Sequence, residues 1–200
     1  MEIVDIPSMS LEAYLPLARR TEKLLDTSPG STTAAWRAHH IMGFFGEAGE
    51  FIDALKRQYI YGKPLDLVNL VEEAGDMCWY LAGLMNNSGT LATTVGKMSE
   101  GIEYGFDSGW EDATEKLVYL FSGVAARVCG TVFIDPTIVG EAFLIIDAAL
   151  KAFVSSEASA NQAMYLNIEK LKKRYPDKYT DQSALIRDLD AERATLEGSK

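Results

Sequence analysis

An all-α bundle of about six or seven helices in one domain is the fold this chain predicts, and three observations carry that expectation. Apolar residues recur three and four apart through most of the 200 residues, the spacing that lines one face of a helix. Clusters of β-branched residues are rare, so no sheet is expected beyond at most a short extended pair near Val132 to Ile134. Turn formers stand between the periodic stretches, at Ser28-Pro29-Gly30, Tyr61-Gly62-Lys63-Pro64, Asn86-Asn87-Ser88-Gly89 and Ser155 to Ser159.

Taken in order, Met1 to Ser10 is an extended lead-in, and Ser10 is placed to cap a helix from Leu11 to about Leu25, bent or delayed by Pro16. A long helix from about Thr33 to Tyr59 follows, carrying Trp36, His39 and His40. After the Tyr-Gly-Lys-Pro break, Asp66 can cap a helix that extends to about Asn86. Thr90 to Gly109 reads as a short helix and a loop, and two amphipathic helices then span Glu111 to Gly130 and Thr137 to Val154. The last long helix starts near Ala160 and stops at Pro176, and the tail from Thr180 reads as helical and polar with a frayed end.

The composition fits a globular protein, with 48% hydrophobic and 24% charged residues. A net charge of -10 argues against a nucleic-acid partner held by phosphate neutralisation, and it means that an anionic small substrate would need a metal to be held. Cys78 and Cys129 both fall in apolar helical stretches, which points to a reducing, cytoplasmic setting. Apolar runs are too short to span a bilayer, so no membrane partner is expected.

Chemistry concentrates in the hairpin. Glu47 and Glu50 are three residues apart, as are Glu73 and Asp76, so each pair projects from one side of its helix. Folding the hairpin brings four carboxylates together. Like charges at that spacing repel, and a set of carboxylate oxygens without Cys suits a hard cation, Mg²⁺ or Mn²⁺. Gly46, Gly49 and Gly75 lie beside the acids inside helices, where glycine costs roughly 1 kcal/mol against alanine, as if something approached the backbone there. His40 shares the stripe of Glu47 and is placed either to reach a ligand or to serve the structure.

Glu47-x-x-Glu50 and, after 22 intervening residues, Glu73-x-x-Asp76 together resemble the signature of the all-α nucleoside triphosphate pyrophosphohydrolases of the MazG type. Tyr61-Gly62-Lys63, Glu72-Glu73-Ala74-Gly75-Asp76 before Trp79-Tyr80, and Asn167-x-x-Lys170-Leu171-x-x-Arg174-Tyr175-Pro176 strengthen the resemblance. It implies hydrolysis of a (deoxy)nucleoside triphosphate to monophosphate and pyrophosphate in a homodimer or homotetramer. It further implies that Glu47, Glu50, Glu73 and Asp76 hold metal, with Glu50 the candidate for added base duty. Lys170, Arg174 and Asn167 would meet phosphate oxygens, and Lys63 joins them as a substrate-binding candidate.

The chain departs from that pattern by an inserted segment, about residues 90–159, which could wall the base pocket, form a subunit interface or replace a partner's helices. The departure leaves dUTP or dCTP, purine triphosphates and phosphoribosyl-ATP open as substrates. A non-catalytic acidic helical binding protein is the reading from another class, and pyrophosphate release with Mg²⁺ separates the two. Apolar surface on the hairpin and on Leu117 to Phe153 is expected to exceed what one bundle covers. Removing charge by Glu50→Gln or Asp76→Asn is expected to abolish turnover while stability without metal holds or rises.

Overall fold

The computed structural model describes residues 6–23, 32–88, 104–106, 110–129 and 135–197. Among them are eight helices and no strand: α1 Leu11–Arg20, α2 Thr32–Tyr61, α3 Leu67–Ser88, α4 Trp110–Cys129, α5 Pro136–Phe153, α6 Ala160–Arg174, α7 Asp181–Leu185 and α8 Leu189–Leu196. The all-α architecture is as expected. The suggested extended pair at 132–134 and most of the 90–109 stretch lie outside the described residues.

Local chemistry sets the helix ends. The Ser10 hydroxyl accepts the Ala13 N–H to start α1, and Asp135 and Ser159 cap α5 and α6 in the same way. Asp66 accepts the Asn69 N–H at 3.1 Å to start α3. Gly62 ends α2 at φ +62, a left-handed conformation open to glycine. Its N–H reaches Gln58 O at 2.9 Å while the Lys63 N–H reaches Arg57 O at 3.2 Å, closing the last turn. Helix α1 stops five residues earlier than the sequence implied, at Arg20, and Pro16 sits within it without ending it.

Helix α3 is the centre of the bundle. It packs against α1, α2, α5 and α6, and Leu70, Ala74, Met77, Cys78, Leu81, Ala82 and Met85 have no exposed surface. These residues recur three and four apart, so they form one apolar face turned to the core. Gly75 allows the closest of these contacts, since a Cβ there would stand 2.9 Å from Ala163 O and from Asn167 Cβ. Gly46 and Gly49 meet nothing within 4 Å. The expectation that something in the fold approaches all three glycines holds for Gly75 alone.

The inserted segment supplies core. Helix α4 lies on α2, and α5 lies on α3, α4 and α6. Phe121 of α4 meets Phe44 and Phe51 of α2 edge to face, at 6.0 and 6.4 Å between centroids, pairs worth roughly 0.5–1.5 kcal/mol each beyond their burial. Exposed apolar side chains stand on α2, on α4 and around α7, where Met42 is 67% exposed, Tyr119 76% and Leu185 85%. Half of α5 is buried, including Ile145, Ile146, Ala149 and Leu150, so among the described residues the surplus expected along Leu117 to Phe153 lies in its α4 part. Cys78 is buried, whereas Cys129, expected to be buried as well, is exposed at the end of α4. No helix among the described residues is long and apolar enough to cross a membrane.

Candidate functional site

The α2–α3 hairpin brings Glu47, Glu73 and Asp76 together, with one carboxylate oxygen from each within 4.8 Å of the others. Glu47 and Asp76 are half-buried and Glu73 is buried. Glu50, one turn further along α2, is exposed and stands outside this trio. It lines a separate depression with Asp53, Ala54, Arg57 and Asn69. The structure thus joins three of the four predicted metal ligands and leaves the fourth at the rim.

Two of the three carboxylates, Glu73 and Asp76, are held by a neutral or cationic partner. Asn69 Nδ2 donates to Glu73 at 2.6 Å from one turn earlier on α3. Asp76 receives Lys170 Nζ on both oxygens, at 2.7 and 2.6 Å, and Asn167 Nδ2 at 2.6 Å. Tyr14, fully buried, donates its hydroxyl to Asn167 Oδ1 at 2.8 Å. That donation fixes which end of the Asn167 amide faces Asp76.

Lys170 has no exposed surface, and its ammonium also lies 3.2 Å from Glu72. Burial alone would lower its pKa, but Asp76 and Glu72 outweigh that and hold it above the usual range. Asn167, Lys170 and Arg174 therefore share one face of α6, which turns to the acids. For Lys170, however, the geometry departs from the phosphate contact expected of it: its charge is spent on Asp76 and Glu72.

Glu47 and Glu73 carry the cost of crowding. Burial raises both carboxyls well above their ordinary range; for Glu73 the hydrogen bond that its protonated form donates to Glu47 and the charge of Asp76 add to it, and for Glu47 the charges of Asp76 and Glu50 do. Without a cation the pair keeps a proton near neutrality. The folded chain then binds more protons than the unfolded one between the ordinary carboxylate range and about 9, so stability falls as pH rises across that window. The metal-free protein is expected to melt at a higher temperature at pH 5.5 than at pH 8.5, and Mg²⁺ is expected to narrow the gap by replacing the lost protons. Circular dichroism melts with EDTA and with Mg²⁺ measure both.

A cavity of about 220 Å³ opens beside the acids. Glu47 and Asp76 form one wall; His39, Trp79, Tyr80 and Tyr175 supply aromatic surface, and Arg174 and Lys23 supply positive charge. Trp79 is fixed from two sides. His40 stacks on it at 5.7 Å and 16°, and its indole N–H donates to Thr21 Oγ1 at 2.9 Å. Glycines make room for these rings, since a Cβ at Gly83 would stand 1.9 Å from His40 Nε2 and one at Gly43 would stand 2.1 Å from the Tyr80 ring.

His40 is buried, its Nδ1 2.9 Å from Trp36 O and its Nε2 3.2 Å from Glu22 without hydrogen-bond alignment. It serves the structure, and its neighbour His39 lines the cavity. Lys63 is exposed in the hairpin turn and is not part of the cavity wall.

Sequence reasoning missed Glu192. The tail is helical, as read, and carries α7 and α8, but Glu192 on α8 is buried, at 3% exposed. Its carboxylate receives Arg174 Nε at 2.9 Å, Arg174 Nη2, and Arg187 Nη2 at 2.8 Å. Burial would raise this carboxyl, and the two guanidiniums overcome that and hold it down at about 2.

The chemistry of this donor set fits a hard divalent cation: three carboxylates converge, all oxygen, with one ammonium to balance them. Comparison with known protein families, curated proteins and solved structures gives no match for this chain.

Proposed function

We propose that the protein is a metal-dependent nucleoside triphosphate pyrophosphohydrolase, releasing nucleoside monophosphate and pyrophosphate, in keeping with its resemblance to the MazG-type enzymes. The observation that supports this most is the placement of Glu47, Glu73 and Asp76 within 4.8 Å of one another, with Glu47 and Asp76 on the wall of an aromatic cavity. Glu47, Glu73 and Asp76 would hold Mg²⁺ or Mn²⁺. Such a cation supplies charge neutralisation of the triphosphate and lowers the pKa of a bound water.

The remaining work falls to the chain itself. Trp79, Tyr80 and Tyr175 offer flat apolar surface for a base, and Arg174 offers a guanidinium for phosphate oxygens. Lys170 and Asn167 act indirectly, holding Asp76 in place with Nζ and Nδ2. Glu50, exposed and outside the trio but close enough to raise the Glu47 carboxyl by its charge, is the candidate to take up the proton of the attacking water.

We extend the reading to a cytoplasmic homo-oligomer. Two free cysteines and the exposed Met42, Phe45, Val118 and Tyr119 support that extension. The decisive experiment incubates the protein with Mg²⁺ and a panel of nucleotides, among them dUTP, dCTP, purine triphosphates and phosphoribosyl-ATP, and resolves products on an ion-exchange column. Monophosphate and pyrophosphate are the expected first products, lost with EDTA. Diphosphate with orthophosphate would place the wrong bond at the acids, and no release from any nucleotide would end the proposal.

A further inference from the structure

We infer that Glu192 is a positioning residue that holds the Arg174 guanidinium at the cavity wall opposite the acids, ready to receive phosphate oxygens. The identity of the phosphate-bearing substrate rests on the hydrolase reading above, but the anion site itself does not.

Arg174 shares a cavity with Glu47 and Asp76. An unrestrained arginine there would swing onto those carboxylates, cancelling the charge that a cation needs and losing its own. Glu192 prevents this. Its two oxygens engage the Nε and Nη2 edge of Arg174, and the planar guanidinium still carries the Nη1 edge for another acceptor.

The node is also charged to accept an anion. Arg187 donates to the same carboxylate, so two guanidiniums meet one acid and one positive charge is left over. Both groups of the contact are buried or nearly so, with Glu192 at 4% and Arg174 at 15% side-chain exposure. Fixing a long side chain before the ligand arrives removes the entropy cost of ordering it at binding. Helix α8 thus takes part in the site through one residue, although its remaining buried side chain, Leu196, packs in the core.

Two measurements on the full-length chain test the inference. Inorganic pyrophosphate binding is followed by calorimetry with Mg²⁺, and KM and kcat are read on whichever nucleotide is hydrolysed. Glu192→Gln is expected to weaken pyrophosphate binding and raise KM by about tenfold, with kcat changed by less than about threefold. Arg174→Ala should show the same signature. The double substitution should be no worse than Arg174→Ala, because a positioning residue has nothing left to position. Arg187→Gln removes the surplus positive charge of the node and should weaken pyrophosphate binding, though by less than Arg174→Ala does.

Glu192→Asp, which keeps the charge and withdraws it by one methylene, should fold and lose about threefold, and it decides the matter if Glu192→Gln does not fold. Unchanged binding in a folded Glu192 variant, or losses that add in the double substitution, would overturn the inference. So would absence of pyrophosphate binding by the unsubstituted chain. A chain that binds pyrophosphate through Arg174 and Glu192 yet hydrolyses no nucleotide would support this site and refute the enzymatic reading. Hydrolysis with KM indifferent to Glu192 would do the reverse.

Discussion

Glu73→Gln is expected to lower nucleotide turnover by roughly a hundredfold to a thousandfold while leaving the metal-free protein at least as stable as before. The two halves of that result have separate causes. An amide offers a cation one neutral oxygen in place of a charged carboxylate, so the site loses a third of its converging charge. The fold loses little, because without a cation the Glu73 carboxyl already favours its neutral form for reasons of burial and crowding. The amide also keeps an oxygen for Asn69 and gains an N–H for Glu47. Steady-state kinetics with Mg²⁺ and thermal melts with EDTA measure the pair of effects. Full turnover in a folded Glu73→Gln protein would remove Glu73 from the chemistry.

Asp76→Asn is expected to behave oppositely in stability, costing about 3–5 kcal/mol because it breaks a buried ion pair from one side. Lys170 has no exposed surface and bonds both Asp76 oxygens, with Glu72 at 3.2 Å as its remaining acid. Reasoning from sequence reached the other sign, since relief of like-charge crowding was the only effect in view. The structure corrects it: Asp76 is crowded by acids on one side and neutralised by a buried ammonium on the other. Urea denaturation should show a lower midpoint with an unchanged slope. Joining Lys170→Met to Asp76→Asn should recover much of the loss, as replacing both members of a buried pair is far less costly than removing one.

These cases mark what could be read from residues alone. Helix ends were legible because their signals are local: Ser10, Asp66 and Gly62 each act on backbone within a few residues. The acid trio was legible because a hairpin with a short turn leaves its helices little choice of neighbour. The face formed by Asn167, Lys170 and Arg174 was legible as a face, but not its target, since the helix period does not say what arrives opposite. His39 and His40 differ by one residue and therefore by about 100° on α2, enough to send one to the cavity and the other beneath Trp79. Glu192 was illegible, because its burial depends on α8 docking on α6. Cys129 failed for a related reason, as an apolar neighbourhood in sequence does not reveal where a helix leaves the core.

The pairing of Lys170 with Asp76 has a consequence for how the chain is made. The two residues are separated by 94 positions, and synthesis proceeds from the N-terminus. Helices α2 and α3 are complete while α6, which carries the counter-ion, has yet to emerge. During that interval the acids have no ammonium to balance them, and the hairpin must stay apart, take up protons or hold a free divalent cation. Closing so long a loop is also the slow kind of contact. Refolding should therefore be faster with Mg²⁺ present than with EDTA, with the cation standing in for Lys170 until the last long helix docks.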